Sequence, residues 1–150
     1  MYKLLYSCSF LLAFSGCISS DDLKPIVPMQ IFHANSAKVW VLEGLTKKGI
    51  DKVPRTREMK TAFVLYNDGG FLEQKIMYLG SSKGITGKFG VFIDPEKQDT
   101  LFSLYYKKQT NLTFLIRKCE SGRLELQQVS DSREPLDTYW TLTTLPKPYE

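Results

Sequence analysis

Short apolar stretches separated by turn residues recur along the chain from residue 38 to residue 142. They are rich in β-branched, aromatic and leucine residues, and turn residues interrupt them about every 8–12 positions. The eight stretches are residues 38–45, 59–66, 71–79, 88–93, 100–107, 112–118, 124–129 and 139–142. None has the period of an amphipathic helix, so the pattern predicts an all-β domain.

Apolar and polar side chains alternate within several of these stretches. Leu112 and Phe114 share one side of the sixth stretch, and Leu124 and Leu126 share one side of the seventh. Successive side chains of a strand point to opposite faces, so one face of the predicted sheet is buried. Eight antiparallel strands joined by short turns can close into a barrel, which also removes exposed sheet edges. We therefore predict an eight-stranded antiparallel up-and-down barrel over residues 38–145.

The N-terminal residues follow a different pattern. Lys3 precedes an apolar run at residues 4–14, and Ser15 and Gly16 come before Cys17. A run of this length between a basic residue and small residues is typical of a secretory signal, and it is too short to span a bilayer. Its end resembles the lipobox of bacterial lipoproteins. The resemblance implies removal of residues 1–16 and lipidation of Cys17; the alternative is a buried N-terminal helix or an uncleaved anchor.

Residues 17–37 are polar and contain prolines at positions 25 and 28, which disfavour a helix. We expect them to form a flexible leader between the membrane and the barrel. The run Ser19-Ser20-Asp21-Asp22 resembles the acidic signal that sends Bacteroidetes lipoproteins to the cell surface. A plain solvated leader explains the same residues.

Composition and charge narrow the classes of function. The chain has 150 residues and a net charge of +4, well short of a nucleic-acid-binding profile. After lipidation of Cys17, Cys119 has no partner within the mature chain, so core packing must hold the domain together without disulfides. We read Cys119 as a small, partly buried hydrophobic residue.

The search for catalytic groups is negative. His33 is the only histidine and lies in the leader, which disfavours a histidine-based triad or a multi-histidine metal site. Glu58, Asp68, Glu73 and Asp94 fall mainly in predicted turns or on outer faces, so no acid–base pair emerges. We predict a protein that is not an enzyme and that uses no cofactor and no metal.

Several motifs together carry a family resemblance. They are Trp40, residues 67–71 (NDGGF), residues 87–92 (GKFGVF), residues 100–104 (TLFSL), residues 112–116 (LTFLI) and residues 124–126 (LEL). Their succession resembles the lipocalin-like domains of small bacterial envelope lipoproteins of the Bacteroidetes type. Lys38 and Phe89 depart from the pattern, because many relatives have glycine and tryptophan there. The resemblance covers roughly residues 38–143 and implies a lipocalin-like barrel.

A barrel of this kind can hold a ligand among inward-facing aromatic and amide side chains. The candidate interior residues are Trp40, Tyr66, Gln74, Tyr78, Phe102, Tyr106, Phe114 and Gln128. The alternative is that these side chains simply fill the core, as in many small barrels. Trp40 fits a plug at the bottom of the barrel better than a ligand contact.

The connection between the first two stretches is basic, and the family resemblance implies that it lies across the open end of the barrel. Its candidate lid residues are Lys47, Lys48, Lys52, Arg55 and Arg57. A basic lid would favour an anionic ligand or an acidic partner, with an attraction that salt screens. A solvated charged loop is the alternative.

The sequence therefore supports a lipid-anchored protein of the cell envelope, attached to the outer membrane on its periplasmic side or at the cell surface. The leading hypothesis is a barrel that binds a small apolar, amphipathic or anionic ligand. The alternative is an accessory subunit of an envelope protein complex, with a solid barrel and a protein-binding outer face. In both cases the membrane is a partner through the acyl chains, and nucleic acid is not.

Overall fold

The computed structural model describes residues 29–145, and nine β-strands make up most of that range. The strands are β1 (Ala37–Lys47), β2 (Ile50–Asp51), β3 (Thr61–Tyr66), β4 (Gly70–Lys75), β5 (Ile85–Ile93), β6 (Thr100–Tyr106), β7 (Leu112–Glu120), β8 (Arg123–Val129) and β9 (Pro135–Thr144). An α-helix, α1 (Gln30–His33), and two 3-10 helices (Arg57–Met59 and Ile76–Tyr78) complete the described elements. No helix within residues 29–145 is long and apolar enough to cross a membrane.

Eight of the strands form a closed antiparallel barrel in chain order, which confirms the predicted fold class. The barrel closes where β1 pairs with β9, for example at Trp40 opposite Thr144 and at Leu45 opposite Trp140. A shift of register between Leu42 and Gly44 marks a bulge in β1. Closure leaves β2 as a short extra strand on the side of β1.

One strand boundary was predicted wrongly, and one hairpin was missed. The stretch at residues 71–79 is a strand only as far as Lys75, because the chain then turns into the 3-10 helix Ile76–Tyr78. The hairpin of β1 and β2 was not predicted at all. Its turn residues, Lys48 and Gly49, have positive φ angles of 51° and 73°, a conformation that glycine adopts readily.

Gly87 allows β4, β5 and β6 to approach one another closely. It pairs with Phe71 across β4 and β5. A Cβ atom at residue 87 would lie 2.3 Å from the carbonyl oxygen of Tyr105 and 2.5 Å from the ring of Phe71. No side chain fits in that space, so the aromatic ring of Phe71 can cover the strand only because residue 87 is glycine.

Aromatic rings fill much of the barrel interior. The ring of Phe102 lies 5.6 Å from Phe32, 6.0 Å from Phe89 and 6.3 Å from Phe114, measured between ring centroids. Phe114 in turn lies 4.7 Å from Trp140. Tilted and edge-on ring pairs at these distances stabilise a core beyond the simple burial of apolar area.

The end of the barrel next to α1 is closed by the segment that precedes β1. Phe32 is fully buried and stacks on Phe102, and the indole Nε1–H of Trp40 donates a hydrogen bond to the carbonyl oxygen of Phe32 at 2.9 Å. Lys38 covers this contact, with its ammonium 4.5 Å from the centroid of the Trp40 ring and 2.9 Å from the carbonyl oxygen of Ile31. Residues 29–36, expected as the end of a flexible leader, therefore form a plug in the barrel.

A second, smaller apolar cluster lies on the outer face of the barrel. Leu101, Leu115 and Val129 are buried there, with Phe92 packed against them. Alternation places them on the face opposite to Phe102 and Phe114, which point inward. The turn at residues 94–99 therefore has an apolar surface to cover, in addition to joining two strands.

Asp94 fixes that turn against the barrel wall. Its Oδ1 accepts hydrogen bonds from the backbone N–H groups of Glu96 and Lys97, and its Oδ2 accepts one from the guanidinium of Arg133 at 2.9 Å. The hydrogen bonds from the backbone of Lys97 and Glu96, together with Arg133, hold the pKa of the Asp94 carboxyl below its usual range. The turn before β6 and the turn before β9 are joined in this way.

The plug makes a prediction about stability. Phe32→Ala removes a fully buried ring, so we expect the free energy of unfolding to fall by about 3–5 kcal/mol in urea titrations. Met29→Ala, at an exposed position one turn earlier, is the matched control and should leave stability unchanged. Equal stability of the two variants would mean that residues 29–36 are not part of the folded core.

Candidate functional site

The two ends of the barrel differ in what covers them. The plug and the turns at residues 67–69 and 121–122 lie at one end, which we call the closed end. The turn at residues 94–99 begins at that end but lies along the outer wall, where Asp94 contacts Arg133. The connections at residues 48–60, 76–84, 107–111 and 130–134 lie at the other, which we call the open end. In an up-and-down barrel successive connections alternate between the ends, and the plug occupies only the closed end.

Polar side chains face inward near the open end, above the aromatic core. Glu73 shares the inward face with Phe71, and its Oε2 accepts a hydrogen bond of 2.7 Å from the hydroxyl of Tyr106. Burial first, and then the contact with Glu73, strongly raises the pKa of Tyr106. The hydroxyl therefore stays protonated and continues to donate to the carboxylate throughout the physiological pH range.

A second polar pair lies beside the first. Lys75 and Thr61 are partners across β3 and β4, and the Lys75 ammonium lies 3.1 Å from Thr61 Oγ1. Both side chains are partly buried. The same inward face thus presents a carboxylate, a phenol, an ammonium and a hydroxyl within two neighbouring strand pairs, which is enough to orient a polar group of a ligand.

Two clefts meet at Ile85 on this rim of the barrel. The first has a volume of about 250 Å³ and is lined by the polar pairs and their neighbours: Thr61, Glu73, Gln74, Lys75, Tyr78, Lys83, Gly84 and Ile85. The second has a volume of about 330 Å³ and is lined by Gly84, Ile85, Thr86, Lys107, Lys108 and Gln109. Both clefts combine apolar surface with lysine side chains, as suits a small amphipathic molecule.

Trp140 adds an unusual feature deeper in the barrel. Its Nε1–H is buried, and among the described residues no group accepts a hydrogen bond from it. The indole packs on Phe114 and lies 5.9 Å from Phe63, between ring centroids. A buried donor without an acceptor is energetically costly, so a bound ligand or water that supplied an oxygen there would stabilise the protein.

Five of the eight residues predicted to line the interior do point inward. Phe102 and Phe114 are partners in the core, and Gln128 shares their face through its pairing with Phe114. Tyr106 lies near the open end. Trp40 lies at the closed end as part of the plug, in agreement with the reading of that residue as the bottom of the barrel.

The other three, Tyr66, Gln74 and Tyr78, are not inside. Tyr66 is exposed, because the inward positions of β3 are those of Phe63 and Leu65. Gln74 is buried but faces outward beside Leu72, and its amide can donate to the carbonyl oxygens of Tyr78 and Lys83. Tyr78 lies beyond the end of β4, in a 3-10 helix outside the barrel.

The sequence reading also missed inward-facing residues. Glu73 was assigned to the outer surface, yet it faces the interior, and Lys75 was not considered. The alternation that starts from Phe71 contained this information, since residues 71, 73 and 75 share one face of β4. The plug residue Phe32 was missed because a single phenylalanine among polar residues has no periodic neighbours.

The basic lid residues lie where they were expected, at the open end. Lys47 ends β1, Lys48 forms the hairpin turn, and Lys52 follows β2, its backbone N–H donating to the carbonyl oxygen of Leu45. Arg55 and Arg57 continue this connection. This connection also makes an apolar contact with the interior, because Val53 packs against the core cluster.

The fold also determines the surroundings of the cysteine and of the potential metal ligands. Cys119 is partly buried against the core, and burial raises the pKa of its thiol to about 11, so it is not poised to react. Cys17 lies outside the described residues. Within residues 29–145, no group of three or more histidine, cysteine, aspartate or glutamate side chains could hold a metal ion.

Comparisons with known proteins leave the fold and the site as the basis for any functional statement. A scan against protein-family models finds no match. A search of curated proteins and a search of solved structures find none either.

The polar pair in the barrel makes a prediction about pH. Folded Tyr106 holds its proton more tightly than an unfolded tyrosine, so this stabilisation is complete below about pH 10 and is lost as the pH rises further. We expect Tyr106→Phe to lower stability by about 1–2 kcal/mol at neutral pH and to reduce the alkaline loss. Denaturant unfolding at neutral and alkaline pH measures both effects.

Tyr105→Phe is the matched control, because that side chain is exposed on the neighbouring position of the same strand. It should leave the stability at neutral pH unchanged. A steeper alkaline loss in Tyr106→Phe than in the natural chain would contradict the pairing with Glu73.

Proposed function

We propose that the protein binds a small amphipathic ligand at the open end of the barrel, with the polar group of the ligand beside Lys75 and Glu73. The observation that carries the proposal is the inward-facing polar group of Glu73, Tyr106, Lys75 and Thr61, which lies on an aromatic floor. Neither pair is needed to close the barrel. Polar side chains in such a position are typical of a site that orients a ligand.

The aromatic floor limits the size of the ligand. Phe102, Phe114 and Trp140 occupy the interior below the polar pairs, so the apolar part of the ligand must fit between them and the rim. The unpartnered Nε1–H of Trp140 is the deepest polar group that the ligand could reach. A short-chain or compact molecule with an acidic or hydroxyl group fits this arrangement best.

The charge at the rim favours an acidic ligand. Lys75 and Lys83 line the same cleft as Glu73, and Lys107 and Lys108 line the adjacent one. The carboxylate of Glu73 already accepts a hydrogen bond from Tyr106, whereas the Lys75 ammonium has two further protons to donate. A ligand carboxylate or phosphate could accept one of them.

We also propose that the protein is a lipocalin-like lipoprotein of the outer membrane and acts by binding rather than by catalysis. The support for the anchor is the sequence alone, namely the apolar run at residues 4–14 followed by Ser15, Gly16 and Cys17. The support for binding is the polar cluster itself, which faces inward above the aromatic floor.

One observation favours a second candidate, the accessory subunit of an envelope complex. The closed half of the barrel is filled by rings at van der Waals distance, as a purely structural barrel requires. In that case the polar pairs at the open end would contribute only to stability. Native mass spectrometry of the protein from its own host separates the two functions, because a carrier retains a small molecule and an accessory subunit retains a stoichiometric protein.

Ligand binding can be tested with a fluorescent fatty acid and a fluorescent alcohol of the same chain length. We expect both to bind at the open end, the acid more tightly. Lys75→Met should lower the affinity for the acid by about tenfold, which corresponds to the loss of one charge-assisted hydrogen bond. The affinity for the alcohol should remain nearly unchanged.

Lys88→Met is the control, since Lys88 is an exposed lysine toward the closed end. It should affect neither probe. If neither probe binds the natural chain, the carrier function is excluded and the accessory function stands. An equal loss of affinity for both probes in Lys75→Met would contradict the proposal that the ammonium makes the site selective for acids.

The anchor has a separate test. Cys17→Ala should abolish acylation of the protein, measured by incorporation of a labelled fatty acid in cells. Cys119→Ala is the control and should leave acylation unchanged, because that thiol is partly buried in the barrel. A Cys17→Ala protein that still carries acyl chains would exclude Cys17 as the lipidated residue.

A further inference from the structure

The connections at the open end of the barrel carry an excess of positive charge. The four connections, residues 48–60, 76–84, 107–111 and 130–134, hold nine basic residues and four acidic ones. The basic residues are Lys48, Lys52, Arg55, Arg57, Lys60, Lys83, Lys107, Lys108 and Arg133, and the acidic ones are Asp51, Glu58, Asp131 and Glu134.

Exposed apolar side chains lie among the basic residues of the open end. Ile50 is 57% exposed, Met77 54% and Met59 47%, although these are residues that a soluble surface usually buries. Met59 and Met77 belong to two 3-10 helices that touch one another, while Ile50 lies in the β1–β2 hairpin. Two connections thus present three exposed apolar side chains at one rim.

Tyr78 has the same character. It is partly exposed next to Met77, and the ammonium of Lys83 lies 5.3 Å from the centroid of its ring. A phenol ring beside a lysine matches the boundary of a bilayer, where an apolar body meets lipid and a polar end meets water and headgroups.

We propose that the open end of the barrel is a membrane-contact surface for anionic lipid. The basic residues would bind the headgroups, and Ile50, Met59 and Met77 would enter the upper part of the bilayer. The basic and apolar side chains of these connections therefore orient the barrel with its open end toward the lipid, whatever the barrel holds inside.

A bilayer explains these features better than an acidic protein does. Binding of an acidic protein would require only the positive charge. It would not explain the exposed apolar side chains of the connections. Protein interfaces bury a contiguous apolar centre inside a polar rim. Here the exposed apolar side chains stand among the basic residues of the open-end connections instead.

The test uses the full chain with Cys17→Ala in every variant, so that acylation does not dominate, and vesicles of phosphatidylcholine with or without phosphatidylglycerol. We expect co-flotation with the anionic vesicles to exceed that with neutral ones and to fall as salt rises. Hydrogen exchange should slow in the 3-10 helices and the β1–β2 hairpin only when anionic vesicles are present.

Two pairs of variants separate charge from insertion. The triple variant Lys48→Glu, Lys52→Glu and Arg55→Glu should weaken binding to anionic vesicles by roughly a hundredfold, at about fivefold for each lost cation. The matched triple variant toward the closed end, Lys88→Glu, Lys118→Glu and Arg123→Glu, makes the same change in net charge and should weaken binding far less.

Met59→Ser with Met77→Ser should weaken binding as well, whereas Tyr66→Ser with Ile93→Ser, at exposed positions toward the closed end, should not. The proposal is overturned if both charge variants weaken binding equally, or if the methionine variant binds like the natural chain. Binding to soluble polyglutamate but not to anionic vesicles would overturn it in favour of an acidic protein partner.

Discussion

The hydrogen bond from the indole of Trp40 to the carbonyl oxygen of Phe32 is the contact on which the rest of the structure depends. It joins the segment before β1 to the first strand and holds Phe32 against Phe102 in the middle of the core. One end of the barrel is thereby closed with side chains that belong to the chain itself. The polar pairs and the basic connections lie toward the other end.

The sequence was sufficient for the architecture because a barrel has a simple period. Alternating stretches such as residues 112–118 and 124–129 predicted paired strands, and their number predicted closure. The prediction errors occurred where the alternation of apolar and polar residues ends. The sequence of residues 76–78 resembles the end of a strand, but the chain leaves the sheet after Lys75. Alternation therefore could not show on which side of the sheet Tyr78 lies.

The candidate site was only partly predictable for a related reason. Aromatic residues were chosen by type, which selected Tyr66 although its neighbours Phe63 and Leu65 already define the inward face of β3. Charged residues were assigned to the surface, which concealed Glu73. A carboxylate can face the interior here because the hydroxyl of Tyr106, contributed by a strand distant in sequence, supplies its hydrogen bond. That pairing depends on register and closure, and no local pattern contains it.

The plug also limits the proposed attachment through Cys17. Because residues 29–36 belong to the barrel, a lipid on Cys17 would be joined to the barrel by twelve residues at most, which span no more than about 40 Å. That is little more than the length of β1, whose eleven residues rise about 3.3 Å each, about 36 Å in all. With so short a connection at its closed end, the barrel could face its open end toward the membrane of attachment or toward an opposing membrane. It could not reach ligands or partners far from these two membranes.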